Sequence, residues 1–337
     1  MSITAAGVAR FLIASLATIL TLLPAGWGAL ALWFQTAGGT VWKSAAVTVW
    51  ISFSLAVLVA VWQGRTGAGL AALTVVFACL LVWWRRIEPS NDRIWADEVA
   101  RMAQASVEGD SVEIRNVRNF DWHTTTEYTP CWETRHYRLD QLRSADMILS
   151  YWSGRAIAHM LVSFGFDDGG HLAFSVEIRR KRTEAFSEVG GFFKEFELSV
   201  IAAAERDVIR VRTNVRGEDA YLYSLRIPPE AMRSLFLGFL DEANSLITAP
   251  RFYNTITANC TTLVYHMMKR IVGYLPLDAR LLFTGYLPGY VYRVGGLDSR
   301  YPLAELRARG RITERARRAD RSPSFSADIR RGVPDGT

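Results

Sequence analysis

Asn259-Cys260-Thr261-Thr262 is followed by Leu263, Val264, Met267, Met268, Ile271 and Val272, apolar residues at three- and four-residue spacing. That period predicts a helix. The loop over residues 249–259 ahead of it puts Cys260 in the first turn. Backbone N–H groups there lack intrahelical partners and the helix dipole is positive, so a thiol is biased toward thiolate, its nucleophilic form. About a hundred residues upstream, His159 opens a β-like run over residues 159–166 that ends at the turn Asp167-Asp168-Gly169-Gly170. An imidazole on a strand beside a thiol on a helix N-terminus makes a nucleophile and its general base. The competing readings are a buried structural cysteine, or a disulfide to Cys131 in an exported chain, and for His159 a half-buried structural histidine.

The elements around this pair predict an α+β unit. Residues 172–178 return antiparallel after the glycine-rich turn, and Glu177 then falls roughly opposite His159. From there it can orient the imidazole as the third member of a triad; the alternative is a surface ion pair with Arg179 or Arg180. His171 is a rival partner for Cys260, whereas His123, His136 and His266 have no constellation around them. Further strands are expected over 111–117, 146–152, 207–213 and 220–227, and a short helix over 95–105. Pro228-Pro229-Glu230 starts a helix whose buried face is Met232, Leu235, Phe236, Phe239, Leu240 and Leu246. Asn259, Thr261, Tyr253 and Trp152 are the candidate substrate contacts.

The first quarter of the 337-residue chain has another character. Between Phe11 and Trp84 only Lys43 and Arg65 carry charge. Three spans are expected, over residues 11–34, 44–62 and 68–84, each near the ~20 apolar residues that cross a bilayer. Trp33, Trp42, Trp62, Trp83 and Trp84 lie at or near their ends, as an interfacial belt requires. The first run is too long for a signal peptide, and two more follow it. Positive charge does not settle orientation: Arg10 and Arg65 share one side, and Lys43, Arg85 and Arg86 the other, which leans toward a cytoplasmic Arg85 and Arg86. The expected organisation is a transmembrane region (1–87), a thiol-enzyme-like domain (88–300) and a basic tail (301–337). The net charge of +6 includes that Arg-rich tail, read as solvated and partly disordered in preference to a grip on anionic lipid. No phosphate-binding glycine loop, metal-ligand spacing or nucleic-acid motif is present, so no cofactor, metal or nucleic-acid partner is expected.

Several runs resemble the Lnb N-terminal periplasmic domain family. They are Tyr151-Trp152, residues 158–166 and 173–179, Ala204-Glu205-Arg206-Asp207, Arg212-Thr213-Asn214, Gly217-Glu218-Asp219, Tyr221-Leu222-Tyr223, and Tyr253-Asn254 leading to Asn259-Cys260-Thr261-Thr262. Asn116-Val117-Arg118-Asn119-Phe120-Asp121 and Tyr128-Thr129-Pro130 add to them, and the resemblance covers about residues 90–300. It implies a permuted papain-like (NlpC-type) fold with an antiparallel sheet, on the periplasmic side of a bacterial inner membrane, which agrees with three spans and an internal N-terminus. It also implies cysteine-dependent acyl transfer, with Cys260 acylated and His159 its base, membrane lipids as partners and a lipoprotein or phospholipid as substrate. In the name-giving lipoprotein N-acyltransferases the spans follow the thiol domain; here they precede it. A thiol peptidase or amidase of the cell envelope and a non-catalytic binding module are the alternatives.

Overall fold

The computed structural model describes residues 5–336, and the chain divides into two compact units: Met1–Pro89 with Ser187–Glu195, and Ser90–Phe186 with Phe196–Thr337. The first unit holds α1 (Ala5–Gln35), α2 (Thr40–Trp62) and α3 (Thr66–Arg85), all three long and apolar enough to cross a membrane. Leu23, Val49 and Val75 are exposed, which only an apolar solvent makes favourable for helices so uniformly hydrophobic. Polar atoms between the helices are satisfied locally. The Trp50 indole N–H donates to the Ala25 carbonyl at 2.8 Å, and its ring lies where a side chain on residue 28 would stand, so that position is Gly28. The Ser187–Glu195 segment packs in this unit through Phe193, which stacks on Phe34 at 5.7 Å and accepts a hydrogen bond from Gln35.

The second unit is built on an eight-stranded sheet. Its strands are β1 (Gln104–Glu108), β2 (Ser111–Arg118), β5 (Trp132–Arg138), β6 (Leu142–Ser153), β7 (Ile157–Phe166), β8 (His171–Arg179), β9 (Glu197–Ala203) and β10 (Asp219–Ser224), while β3 (Asp121–Trp122) and β4 (Tyr128–Thr129) form a separate small hairpin. The order is β1-β2-β9-β8-β7-β6-β10, with β5 also on β2, and every pairing is antiparallel except the single β2–β9 bridge. The helices are α4 (Glu205–Val208), α5 (Pro229–Thr248), α6 (Cys260–Val272), α7 (Leu287–Arg293), α8 (Leu303–Gly310), α9 (Thr313–Arg318) and α10 (Phe325–Arg330). The unit is thus α+β with an antiparallel-dominated sheet.

The central strands are buried on both faces, so their alternation is between two cores rather than between core and water. Met160, Val162 and Phe164 of β7, with Phe174 and Val176 of β8, join Phe236 and Phe239 of α5 in the larger core. Leu161 and Ala173 point the other way, to Val208, Ile312, Ala316, Phe325 and Ile329. This second core corrects two expectations. Residues 301–337 do not form a solvated tail: α9 and α10 cover that face, and Arg330 pairs with the buried Asp146 and Glu205 at 2.7 and 2.6 Å. Residues 207–213 alternate like a strand, yet they form the end of α4 and a π-helical turn, Val211–Val215. Buried Asp207 fixes them there, accepting from Arg118, the Phe120 amide and the Trp122 indole. Residues 95–105 form only a 3-10 turn, Asp97–Val99, before β1.

Arg330→Ala leaves two enclosed carboxylates without their shared cation. It is expected to destabilise the second unit by about 3–5 kcal/mol, the range for breaking a buried pair. Thermal unfolding of the full-length protein in detergent checks this; an unchanged midpoint contradicts it.

Candidate functional site

Helix α6 begins at Cys260 because Asn259 caps it. The Asn259 side-chain oxygen accepts from the amides of Thr261 and Thr262 at 2.9 and 2.8 Å, and the Thr262 hydroxyl accepts from the Asn259 amide, a reciprocal capping box. The amide of Cys260 is the first-turn donor this cap leaves over. Leu263 and Met267 bury the helix against the sheet, holding its N-terminus beside β7. Cys260 is buried, 8% exposed, and all three cysteines are free, so the Cys131–Cys260 disulfide is not formed.

His159 lies near the start of β7, two residues after Ile157. Its ring lies close enough to the Cys260 sulfur that each group shifts the other's proton affinity, and the Met160 backbone acts on the sulfur as well. The other side of the ring meets β8. His159 Nε2 lies 2.7 Å from Ser175 Oγ and 3.3 Å from Glu177 Oε1. The same carboxylate oxygen accepts from Ser175 at 2.6 Å and from Arg212 at 2.9 Å. With Nε2 engaged, Nδ1 is the ring nitrogen left for the thiol. The hairpin register explains the meeting: Leu161 pairs with Ser175, so the next row on this face sets His159 against Glu177.

The electrostatics favour a separated charge pair. Burial works against the imidazolium, but the adjacent Glu177 carboxylate outweighs it and, with the thiol, raises His159 to about 9. Burial likewise disfavours the Glu177 carboxylate, yet His159 and Arg212 hold it well below the usual carboxylate range. Burial pushes the Cys260 thiol up, and the neighbouring His159 imidazole more than reverses that, giving a net downward shift. A thiol moved down beside an imidazole moved up is the pattern of thiolate and imidazolium.

The other expected residues divide. Thr261 is buried, its hydroxyl 3.9 Å from the Cys260 sulfur and 2.9 Å from the Thr284 hydroxyl. Tyr253 is near enough that burial first, then the Cys260 and Glu177 charges, raise its hydroxyl. Asn259 is committed to the cap, and its amide group donates to the Thr255 carbonyl. Trp152, at the end of β6, is half exposed and packs edge-on against Phe186 at 5.5 Å, with no bond to the pair. His171 sits at the far end of the β7–β8 hairpin opposite Gly165, six rows or about 20 Å from His159. Ser175 and Arg212 were not singled out for the site; the i, i+2 spacing of Ser175 to Glu177 was a readable signal for the first.

Beside the pair, on the larger core's face, lies a cavity of about 110 Å³ with an apolar lining. Met160 and Thr261, the chain neighbours of His159 and Cys260, form one part of its wall, and Val264, Met268, Leu281 and Tyr290 others. Its wall is anchored near the site at Thr284, through Thr261, and at Gly285. Gly285 donates to the Ala156 carbonyl and accepts from the Tyr151 hydroxyl, and any side chain there would collide with the Arg155 carbonyl. Among the described residues, no group of three or more His, Cys, Asp or Glu side chains is placed to hold a metal ion.

Neither a curated protein nor a solved structure matches the chain. Residues 128–287, which carry β4 to β10, the cysteine–histidine contact and most of the cavity wall, match the family model of the Lnb N-terminal periplasmic domain.

Proposed function

We propose that the protein is a membrane-anchored, cysteine-dependent acyl-transfer enzyme, with its second unit on the periplasmic side of a bacterial inner membrane and three spans holding it there. The pairing of the capped, helix-terminal Cys260 with His159, each moving the other toward its charged form, carries the thiol chemistry. A cysteine at a helix start against a histidine near a strand start is also what supports a permuted papain-like arrangement. The apolar cavity beside the pair favours a lipid or lipoprotein acyl group over a peptide, because it offers no polar partner for a peptide backbone.

The chemistry runs through a thioester. The Cys260 thiolate attacks the acyl carbonyl of an ester or amide, and the oxyanion that forms faces the free amide of Cys260 at the helix start. The carbon–oxygen or carbon–nitrogen bond then breaks, and the leaving group takes the proton held by His159. An amine, alcohol or water attacks the thioester next, returning a proton to His159 as the thiolate leaves. Glu177 keeps the imidazole protonated until the leaving group needs it.

Mass spectrometry of the purified full-length protein mixed with a phospholipid is expected to show an acyl group on Cys260 that hydroxylamine removes. Cys260→Ala should abolish it with the unfolding midpoint unchanged, whereas labelling that persists in this variant sinks the proposal. The pH profile has a stated direction. His159 must be protonated to release the leaving group, so turnover falls as pH rises through about 9. Glu177→Gln removes the main raising influence and should carry that descending limb down toward the ordinary histidine value of about 6.5. Filling the cavity with Val264→Trp should cost long-chain donors about tenfold or more relative to short-chain ones; an unaltered chain-length preference would remove the cavity from the substrate site.

A further inference from the structure

We propose that Ser175 and Arg212 are positioning residues of this site: Ser175 relays between His159 and Glu177 and fixes which imidazole nitrogen faces the thiol, and Arg212 locks the far end of the relay. The inference rests on the reading of Cys260 and His159 as nucleophile and base.

The relay's direction follows from counting protons. A hydroxyl has one hydrogen to donate, and an ionised carboxylate only accepts. Ser175 therefore gives its hydrogen to Glu177 Oε1, 2.6 Å away. Its oxygen is left to accept from His159 Nε2 at 2.7 Å, so Nε2 carries a hydrogen in both charge states of the ring. Whenever the ring is neutral, the bare nitrogen is Nδ1, the one available to the thiol. Without Ser175, the remaining partner of Nε2 is Glu177 at 3.3 Å, beyond the 2.7–2.9 Å of a strong charge-assisted bond, and the ring can turn.

Arg212 keeps that direction from reversing. Its side chain is 7% exposed and reaches Glu177 from the π-helical turn, on the same oxygen that Ser175 uses. Losing the His159 charge therefore does not leave Glu177 as an unpaired, partly buried carboxylate, which takes up a proton more readily and becomes a donor. Ser175 is 1% exposed, and among its described contacts its hydroxyl bonds only His159 and Glu177. Neither residue bonds the sulfur, so both act through His159.

The test is the pH dependence of iodoacetamide alkylation of Cys260, in which the thiolate displaces iodide and forms a carbon–sulfur bond. It is run on the full-length protein in detergent, in a Cys79→Ser, Cys131→Ser background. The parent should react as a thiolate below the ordinary thiol range. Ser175→Ala should slow the neutral-pH rate about tenfold and shift the profile upward, while Ser175→Thr, which keeps the hydroxyl, retains the parent profile. Arg212→Met should lose reactivity on the acid side, where Glu177 now protonates, and Arg212→Lys should restore it. A Ser175→Ala profile superimposable on the parent overturns the relay. Because alkylation needs no acyl donor, this failure is distinct from failure of the acyl-transfer reading, which appears as a reactive Cys260 that never acquires an acyl group.

Discussion

The Glu177 carboxylate is partly buried, and the cations and donors around it hold it ionised against that burial; the site is organised around them. Three groups converge on one of its oxygens: the Ser175 hydroxyl, the Arg212 guanidinium and, at longer range, the His159 ring. Each comes from a different place in the fold. Ser175 is two residues away on the same strand, His159 is on the neighbouring strand, and Arg212 comes from a turn that a regular helix would rotate elsewhere. The negative charge held there makes the imidazolium favourable, and the imidazolium in turn makes the thiolate favourable. Removing the carboxylate therefore acts on a sulfur atom that it does not touch.

The sheet separates polar from apolar work. By strand parity, His159, Ser175 and Glu177 share the face of Leu161 and Ala173, which the C-terminal helices cover, while Met160 and Val176 face the larger core, and Met160 also lines the cavity. Cys260 belongs to a helix on the second face, yet it interacts with a histidine on the first. This is possible because His159 lies near the end of its strand, where the start of α6 can reach around it. A histidine in the middle of β7, at Ser163 for example, would be walled off by neighbouring strands on both sides. The polar groups thus gather on one face while the apolar cavity lies on the other, and Cys260 beside His159 joins them.

Much of this could be read from the chain. The 3.6-residue period after Cys260 and the loop before it located the helix start, and the Asn259–Thr262 capping box that fixes it there is a local interaction between residues three apart. The Asp167–Gly170 turn set the hairpin register and with it the row shared by His159 and Glu177. What could not be read depended on distant partners. Ile209 and Val211 alternate with Arg210 and Arg212, as a strand would, but the Asp207 carboxylate draws donors from Arg118, Phe120 and Trp122, some ninety residues earlier, and these hold the backbone helical. The Arg-rich C-terminus looked like a solvated tail because charge runs usually are; its arginine at 330 instead meets carboxylates on β6 and α4 that no local pattern connects to it.

The same long-range pairing ties the C-terminal segment to the chemistry. Glu205 and Asp207 bracket α4, which leads directly into the π-helical turn carrying Arg212. Arg330 holds Glu205, and Arg118 holds Asp207, so both ends of that short helix are pinned by ion pairs too enclosed for solvent to screen. A four-residue helix has no intrinsic stability to keep a guanidinium in place. Its position is borrowed from two arginines some two hundred residues apart, Arg118 and Arg330, and the aim of Arg212 at Glu177 depends on both. The apparent redundancy of charge on this face is therefore an ordered chain of dependence, from Arg330 through Glu205 and Arg212 to the imidazole beside the sulfur.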